Sequence, residues 1–238
     1  MDVKETEILG DDIDRHWYYA SKAKAMRAML GTQVVSSILD VGAGSGYFSG
    51  KLLETTEARE AWCVDIGYPN DSDAFRAGKP VHYRRSIASS NADLVLLMDV
   101  LEHVDDDVAL LAEYVRKVPA GARFLITVPA FQFLWSAHDD FLEHRRRYVL
   151  PQLEHVVREA GLHVDRGGYF FGGVFPIAAG MRLSQRYRAG EAPAQSQLKR
   201  HHWLVNRVLA SICDAELPFM RWNRIAGLSI FCMATKKP

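Results

Sequence analysis

The chain has 238 residues, a formal net charge of zero and ordinary fractions of apolar and charged side chains. This length suits one α/β domain with a substantial core, so we expect a single domain over residues 1–238. Residues 1–120 carry 13 Lys and Arg against 20 Asp and Glu, whereas residues 121–238 carry 16 against 9. This balance excludes the strongly basic profile of a nucleic-acid-binding protein, and the basic second half favours an anionic substrate or surface.

Neither the cysteines nor the first residues indicate export. Cys63, Cys213 and Cys232 lack the spacing of metal sites or disulfides, and they read as buried thiols in a reducing compartment. The first residues are acidic and polar, unlike a signal peptide. We therefore expect a cytoplasmic protein.

In chain order, an acidic lead-in over residues 1–14 precedes apolar side chains at helical spacing over residues 15–30. Gly31 is a suitable stop for this predicted helix. The most informative stretch comes next. An apolar run containing Asp40 leads into glycines at every second position, and a helical pattern follows. A strand, a glycine turn and a helix are how an open α/β sheet presents backbone N–H groups to a ligand.

The spacing of these glycines separates two classes of cofactor. A dinucleotide site requires G-x-G-x-x-G, whereas Gly42, Gly44 and Gly46 form G-x-G-x-G and Tyr47 takes the place of the third glycine. A second apolar run ends at Asp65, roughly 20 residues beyond the glycines, where an acid typically accepts ribose hydroxyls. The pattern disfavours an NAD(P)-dependent oxidoreductase.

The block Leu39–Gly46, followed by Val64 and Asp65, resembles the first two signature motifs of class I S-adenosylmethionine-dependent methyltransferases. The resemblance implies an α/β fold: a Rossmann-like, doubly wound, mostly parallel seven-stranded sheet with a helical insertion before the last strand. It implies S-adenosyl-L-methionine as cofactor and S-adenosyl-L-homocysteine as product. The methionine portion would be held by Asp40 and by the loop of Gly42, Ala43, Gly44 and Gly46, and the ribose end by Asp65 with Ile66.

The segment from His16 to Lys22 resembles the aromatic and basic N-terminal helix that covers the cofactor in this family. By that resemblance Lys22 would meet the methionine carboxylate. The alternative is an amphipathic helix whose aromatic residues pack in the core and whose lysines are solvated.

Residues 67–80 are rich in Pro, Asp, Ser and Gly, so we predict a loop with at most a short helix, followed by a short third strand over residues 81–84. Many family members place an acid after this strand to meet the adenine amino group. This chain offers Ser86 there, and we assign that place to it.

A continuous apolar run ending at Met98 predicts a strand that is buried on both faces. The following Leu-Glu-His-Val resembles methyltransferases that act on quinone precursors and other small or lipid-like molecules, and it implies that Met98 and Asp99 line the pocket. Three interpretations of Asp99, Glu102 and His103 stay open. They order the loop and the next helix, or His103 is a general base beside the acceptor, or the three form a divalent-metal site, as in relatives with an acid-x-x-Glu-His pattern.

A helix over residues 108–118 and a fifth strand over residues 123–128 come next. The string VPAFQFLWSAHDDFLEHRRRY after this strand resembles a bacterial branch of the type 11/12 methyltransferase family, where it lies over the active-site mouth. His138 with the adjacent Asp139 is our first choice for the base that takes a proton from an acceptor hydroxyl, although bracing the loop is an equal alternative. For substrate contacts we select Trp135, Arg147 and Tyr148. The arginine run either binds an acceptor anion or forms a solvated face.

A helix over residues 150–160 and a sixth strand over residues 162–171 complete the core, which we assign to residues 34–171 after an N-terminal part over residues 1–31. Residues 172–224 are too long for a simple connection before the last strand and tail over residues 225–238. Their apolar start, a polar linker at 190–197 and a helix from residue 201 suggest a helical cap over the substrate pocket. The alternative is a peripheral membrane contact through residues 169–188, with arginines that meet anionic lipid.

We therefore expect methyl transfer to a small or lipid-linked, anionic acceptor, with O-methylation favoured. The main alternative is a non-catalytic cofactor-binding or membrane-peripheral protein with the same fold.

Overall fold

The computed structural model describes residues 10–188 and 202–237. The strands are β1 (Ser37–Val41), β2 (Glu60–Val64), β3 (Ser72–Arg76), β4 (Lys79–Arg84), β5 (Leu94–Met98), β6 (Arg123–Pro129), β7 (Leu162–Phe170) and β8 (Ser229–Lys236). The α-helices are α1 (Trp17–Leu30), α2 (Tyr47–Thr55), α3 (Asp107–Lys117), α4 (Ala137–Phe141), α5 (Leu150–Glu159), α6 (Phe175–Arg188) and α7 (Trp203–Glu216). Short 3-10 helices cover Gly10–Arg15, Leu101–His103, Gln132–Leu134 and Leu217–Trp222.

All eight strands belong to one sheet with the order β3-β4-β2-β1-β5-β6-β8-β7. The five strands from β4 to β6 in this order are parallel, and β8 is antiparallel to both β6 and β7. The doubly wound, mostly parallel sheet with a helical insertion before its last strand is therefore confirmed.

The number of strands differs from the seven that were expected. The segment 67–80, predicted as a loop, contains β3, which pairs antiparallel with β4 at the edge of the sheet. Four of the five residues of β3 are exposed, so this edge strand has no apolar alternation by which the sequence could reveal it.

Helices cover both faces of the sheet and enclose one apolar cluster on each face. The helices α1, α2 and α7 pack on one face, and α3 and α5 pack on the other. Buried members of the first cluster include Met26, Phe48, Leu52 and Cys213, and those of the second include Leu111, Val115, Leu153 and Val157. Burial of strands on both faces explains the continuous apolar runs in the sequence.

The carboxyl ends of the parallel strands meet at one edge of the sheet, and backbone strain is concentrated there. Asp99, Phe131 and Phe171 follow the ends of β5, β6 and β7, and their φ angles are 57°, 59° and 65°. Positive φ is costly for residues other than glycine and tends to be kept at functional sites. This edge is therefore the candidate site.

The described part of the segment between β7 and β8 contains two α-helices, of which α7 packs against α1. Asn206 accepts a hydrogen bond from the Trp17 backbone N–H (2.7 Å) and donates one to the Arg15 carbonyl (2.7 Å). Lys24 forms an ion pair with Asp214 at 2.7 Å. The linker expected at residues 190–197 and the first nine residues of the lead-in lie outside the described residues.

Candidate active site

The glycine turn after β1 has the geometry that the sequence predicts. Gly42 has φ of 63°, and a Cβ atom built there would lie 2.8 Å from Val100 Cγ2. Gly46, at φ of 68°, directly precedes α2, and its Cβ would lie 3.1 Å from Cys63 Sγ and 3.2 Å from the Tyr83 hydroxyl oxygen. Both positions therefore need glycine for the backbone angle and for the space.

Asp65 lies against this turn. Its carboxylate accepts hydrogen bonds from the backbone N–H of Gly44 (3.0 Å) and of Gly67 (2.8 Å). The Tyr68 hydroxyl donates to the Gly44 carbonyl at 2.6 Å, a contact that sequence reasoning missed. The neighbouring Ile66 is 87% exposed, which leaves its apolar side chain free of protein cover beside the predicted ribose site.

Asp40 is buried beneath the same turn. Burial raises the pKa of Asp40 to about 6, and hydrogen bonds from Ser49 only partly oppose this shift. A carboxyl group with this pKa changes charge just below neutral pH, so a cationic ligand group beside it would favour the ionised form.

Lys22 of α1 and Asp99, both predicted at the cofactor site, meet each other in an ion pair. Burial opposes ionisation of both groups, but the pair outweighs it: Asp99 raises the pKa of Lys22, and Lys22 together with the Thr127 hydroxyl lowers the pKa of Asp99. The Lys22 ammonium also lies 3.4 Å from the Tyr18 hydroxyl. The lysine is buried, so the interpretation of this helix as one with solvated lysines is wrong at this position.

Glu102 and His103 follow Asp99 in a 3-10 turn and differ from it in their surroundings. Burial, with a smaller contribution from the Asp99 charge, raises the pKa of Glu102 well above its ordinary value. Burial and the neighbouring His144 lower the pKa of His103 to about 4, so its imidazole is neutral at pH 7. The sequence grouped Asp99 with Glu102 and His103 as potential metal ligands, whereas the structure groups Glu102 and His103 with His144.

Asp139 is fully buried in the loop after β6 and binds three partners. Its carboxylate accepts hydrogen bonds from His144 Nδ1 (2.9 Å), Arg147 Nε (2.7 Å) and Nη2 (3.0 Å), and the Ser136 backbone N–H (2.9 Å). Although burial opposes ionisation, these donors lower the pKa of Asp139. They fill the roughly four acceptor positions of a carboxylate, so Asp139 orients His144 rather than the predicted His138.

Arg147 and Tyr148 were predicted to contact the substrate, but both are buried and bound within the protein. Arg147 is held by Asp139 and by the Ala130 carbonyl (3.1 Å), and the Tyr148 hydroxyl donates to Asp107 at 2.7 Å. These predictions are corrected, because in this structure the hydrogen-bonding groups of both side chains are turned to protein acceptors.

The rest of the arginine run also faces protein acids. Arg145 pairs with Asp105 (2.6 Å), and Arg146 pairs with Asp107 (3.3 Å). Arg145 is exposed, as the solvated-face alternative expects, whereas Arg146 is half-buried; both fasten the loop to the start of α3.

An aromatic surface and one arginine lie above the carboxyl ends of β6 and β7. Phe131 stacks on Tyr169 with ring centroids 5.0 Å apart, and it contacts Phe133 and Phe175. Arg182 of α6 donates to the Leu134 carbonyl at 2.8 Å. Burial is the main cause that lowers the pKa of Arg182 to about 10, and repulsion by the Arg147 charge adds to it. From the sequence, Arg182 belonged to a segment expected to form a helical cap or, alternatively, a membrane contact.

The remaining predicted residues are placed as follows. Met98 is buried at the end of β5, and Ser86 is exposed after β4. Trp135 Nε1 donates to Asp140 at 2.9 Å, so this ring is tied to α4, on which His138 also lies. A groove of about 680 Å³ lies elsewhere, between α1 and α2, and its lining includes none of the glycines of the turn.

The comparisons with known proteins agree with this geometry. A family model described as a methyltransferase domain matches residues 14–166. No curated protein matches the chain. Among solved structures, the Haloferax volcanii complex of the Trm112 methyltransferase activator with a methyltransferase is similar at 17% identity and a TM-score of 0.57, covering 99% of this chain and 96% of that chain.

Two further structures share the fold at 15% identity. A sarcosine dimethylglycine methyltransferase from Galdieria sulphuraria has a TM-score of 0.52, with 92% of this chain and 86% of that chain covered. Phosphoethanolamine N-methyltransferase 2 from Haemonchus contortus, in complex with S-adenosyl-L-methionine, has a TM-score of 0.55, with 100% and 60% covered. The matched domain covers most of the chain, so this protein belongs to the methyltransferase-domain family.

Proposed function

We propose that the enzyme methylates an oxygen atom of a small or lipid-linked acceptor that carries an anionic group. The observation that carries this proposal is Arg182 beside the aromatic surface of Phe131, Phe133 and Phe175. Burial and Arg147 both disfavour the charge of Arg182, and Asp139 and Tyr18 oppose this effect only in part. A phosphate or carboxylate would offset both costs, and the aromatic rings would contact the apolar part of the acceptor.

The cofactor site follows from the residues at the ends of β1, β2 and β5. Asp40 and the glycine turn would hold the methionine portion, with Lys22 released from Asp99 to meet the carboxylate. Asp65 would accept the ribose hydroxyls with Ile66 beside it, and Ser86 would lie at the adenine. Positioning the acceptor in line with the sulfonium supplies most of the rate, because the cofactor itself provides the leaving group.

An oxygen acceptor must lose a proton, and we propose His138 as the base, although Asp139, which the sequence paired with it, binds His144 and Arg147 instead. His103 is the alternative: its imidazole is neutral at pH 7 and free to accept a proton, but a pKa of about 4 makes it the weaker base. Replacing each histidine by alanine and measuring kcat against pH separates the two, since the base controls the acidic limb of the profile.

The acceptor class is tested by transfer of radiolabelled methyl to hydroxylated carboxylates and phosphate esters, with and without lipid tails, and to neutral counterparts. We expect Arg182→Met to raise KM for anionic acceptors about tenfold or more, the value of a hydrogen bond to a charged group. Arg207→Met, an exposed arginine on α7, is the matched control and leaves KM unchanged. A preference for neutral acceptors in the unaltered enzyme would overturn the proposal.

A membrane-peripheral site for this reaction is a second candidate. Ile177 and Met181 of α6 are each 58% exposed, within the segment predicted to contact a membrane. Within residues 10–188 and 202–237, no helix is long and apolar enough to cross a bilayer. Co-flotation with anionic vesicles that is lost in Ile177→Ser/Met181→Ser would support surface contact, and absence of flotation would refute it.

Three buried free thiols support the predicted cytoplasmic location.

A further inference from the structure

We propose that Glu102, His103 and His144 form a binding site for one divalent transition-metal ion. One ligand atom from each residue lies within 4.8 Å of the other two. The imidazole rings of His103 and His144 meet edge to face, with centroids 4.7 Å apart. Asp99 is outside this set, because Lys22 and Thr127 already bind its carboxylate.

The state of Glu102 is the second observation. Its side chain is 0% exposed, and neither of its carboxylate oxygens has a hydrogen-bond partner. Leaving such a group buried without a partner is costly, and native proteins normally satisfy it. Two neighbouring imidazoles and one unsatisfied carboxylate form a donor set that a metal ion would complete.

His144 is oriented as metal-ligating histidines usually are. Its Nδ1 atom is hydrogen-bonded to Asp139 Oδ1 at 2.9 Å, and Arg147 fixes that carboxylate from the other side at 2.7 Å. A carboxylate on one ring nitrogen sets the tautomer and raises the basicity of the other nitrogen. Nε2 of His144 is therefore the ligand atom, and Asp139 is a positioning residue.

The ligand types select the class of ion. Bonds of about 2.0–2.2 Å place ligand atoms roughly 3–3.5 Å apart, so side-chain rotation must close the cluster by an ångström or two. Two imidazoles with one carboxylate suit Zn²⁺, Mn²⁺, Fe²⁺ or Co²⁺, whereas Mg²⁺ prefers oxygen ligands. When bound, such an ion would supply a Lewis acid for an acceptor oxygen. The site goes beyond the proposed function, since metal binding does not depend on which acceptor is used.

The test uses untagged, chelator-treated protein, titrated with Co²⁺ by visible absorption and with Zn²⁺ and Mg²⁺ by calorimetry. We expect one Co²⁺ or Zn²⁺ per chain, and weaker binding of Mg²⁺. Glu102→Gln and His103→Ala should each weaken Zn²⁺ binding at least tenfold. His155→Ala, an exposed histidine on α5, is the matched control and should leave binding unchanged.

The ligand set is tested separately with Lys22→Met/Asp99→Asn, which removes both charges of the ion pair and should keep Zn²⁺ binding. Circular dichroism checks that each variant is folded. Any of four results would overturn the inference: no stoichiometric Co²⁺ binding, Zn²⁺ binding that survives Glu102→Gln, an affinity for Mg²⁺ equal to that for Zn²⁺, or loss of Zn²⁺ binding in the double variant. Calorimetry with S-adenosyl-L-homocysteine on the same metal-free protein tests cofactor binding separately. Absence of a metal site can therefore be told apart from absence of the methyltransferase function.

Discussion

The buried pair of Asp139 and Arg147 provides the sharpest test of the loop after β6. Asp139→Ala removes a fully buried carboxylate and leaves the Arg147 side chain, itself 4% exposed, with only the Ala130 carbonyl (3.1 Å) among the acceptors described here. Removing one partner of a buried ion pair costs about 3–5 kcal/mol, because the other charge stays buried without compensation. That is a large fraction of the roughly 5–15 kcal/mol by which native domains are stable.

Urea unfolding followed by far-ultraviolet circular dichroism measures this cost. With an m-value of about 2 kcal/mol per molar urea, the midpoint should fall by roughly 2 M. Asp139→Leu/Arg147→Met removes both charges and should recover most of the loss, which a double-mutant cycle quantifies. Arg145→Ala, from the more exposed pair with Asp105, is the matched control and should cost less than about 1 kcal/mol. A cost below 1 kcal/mol for Asp139→Ala would refute the reasoning.

Three further outcomes are expected at other positions. Because Asp40 is protonated below its pKa of about 6, the Kd for S-adenosyl-L-homocysteine should rise up to tenfold per pH unit below pH 6, and Asp40→Asn should flatten this dependence in calorimetry. Gly46→Ala forces a side chain into positive φ and against Cys63 Sγ, so thermal unfolding should show a loss of about 1–2 kcal/mol together with weaker cofactor binding; an unchanged Kd would count against the turn as cofactor site. Tyr148→Phe removes the 2.7 Å donor to Asp107 Oδ2, which keeps Arg146 at 3.3 Å, and should cost about 1–3 kcal/mol in urea unfolding, with KM unchanged if the ring does not touch the acceptor.

The sheet and its functional edge were predictable from the sequence for a physical reason. The parallel strands are buried on both faces, so they stand out as apolar runs, and the glycine turn needs positive φ that few residues adopt. The edge strand Ser72–Arg76 lacks such a signal, because its polar side chains face water and its pairing with β4 is made by the backbone.

The partners of charged side chains were harder to predict. Asp139 follows His138 directly, which suggested a pair, but successive helical residues point in different directions and Asp139 turns toward the loop that carries His144 and Arg147. The ion pair of Lys22 with Asp99 joins residues 77 positions apart, and periodicity contains no information on such a contact. Resemblance to a family placed both residues at the cofactor site, and only the three-dimensional structure shows that they bind each other.

The contacts of Asn206 with the start of α1 have a consequence for the order of assembly during synthesis. The N-terminal helix carries Lys22 and covers the sheet edge, yet the side chain that holds its first turn comes 189 residues after Trp17. Contacts of such sequence separation form late, because a long loop must close first. A nascent chain can therefore form the glycine turn early, but it can fasten the N-terminal helix over that turn only after α7 has left the ribosome.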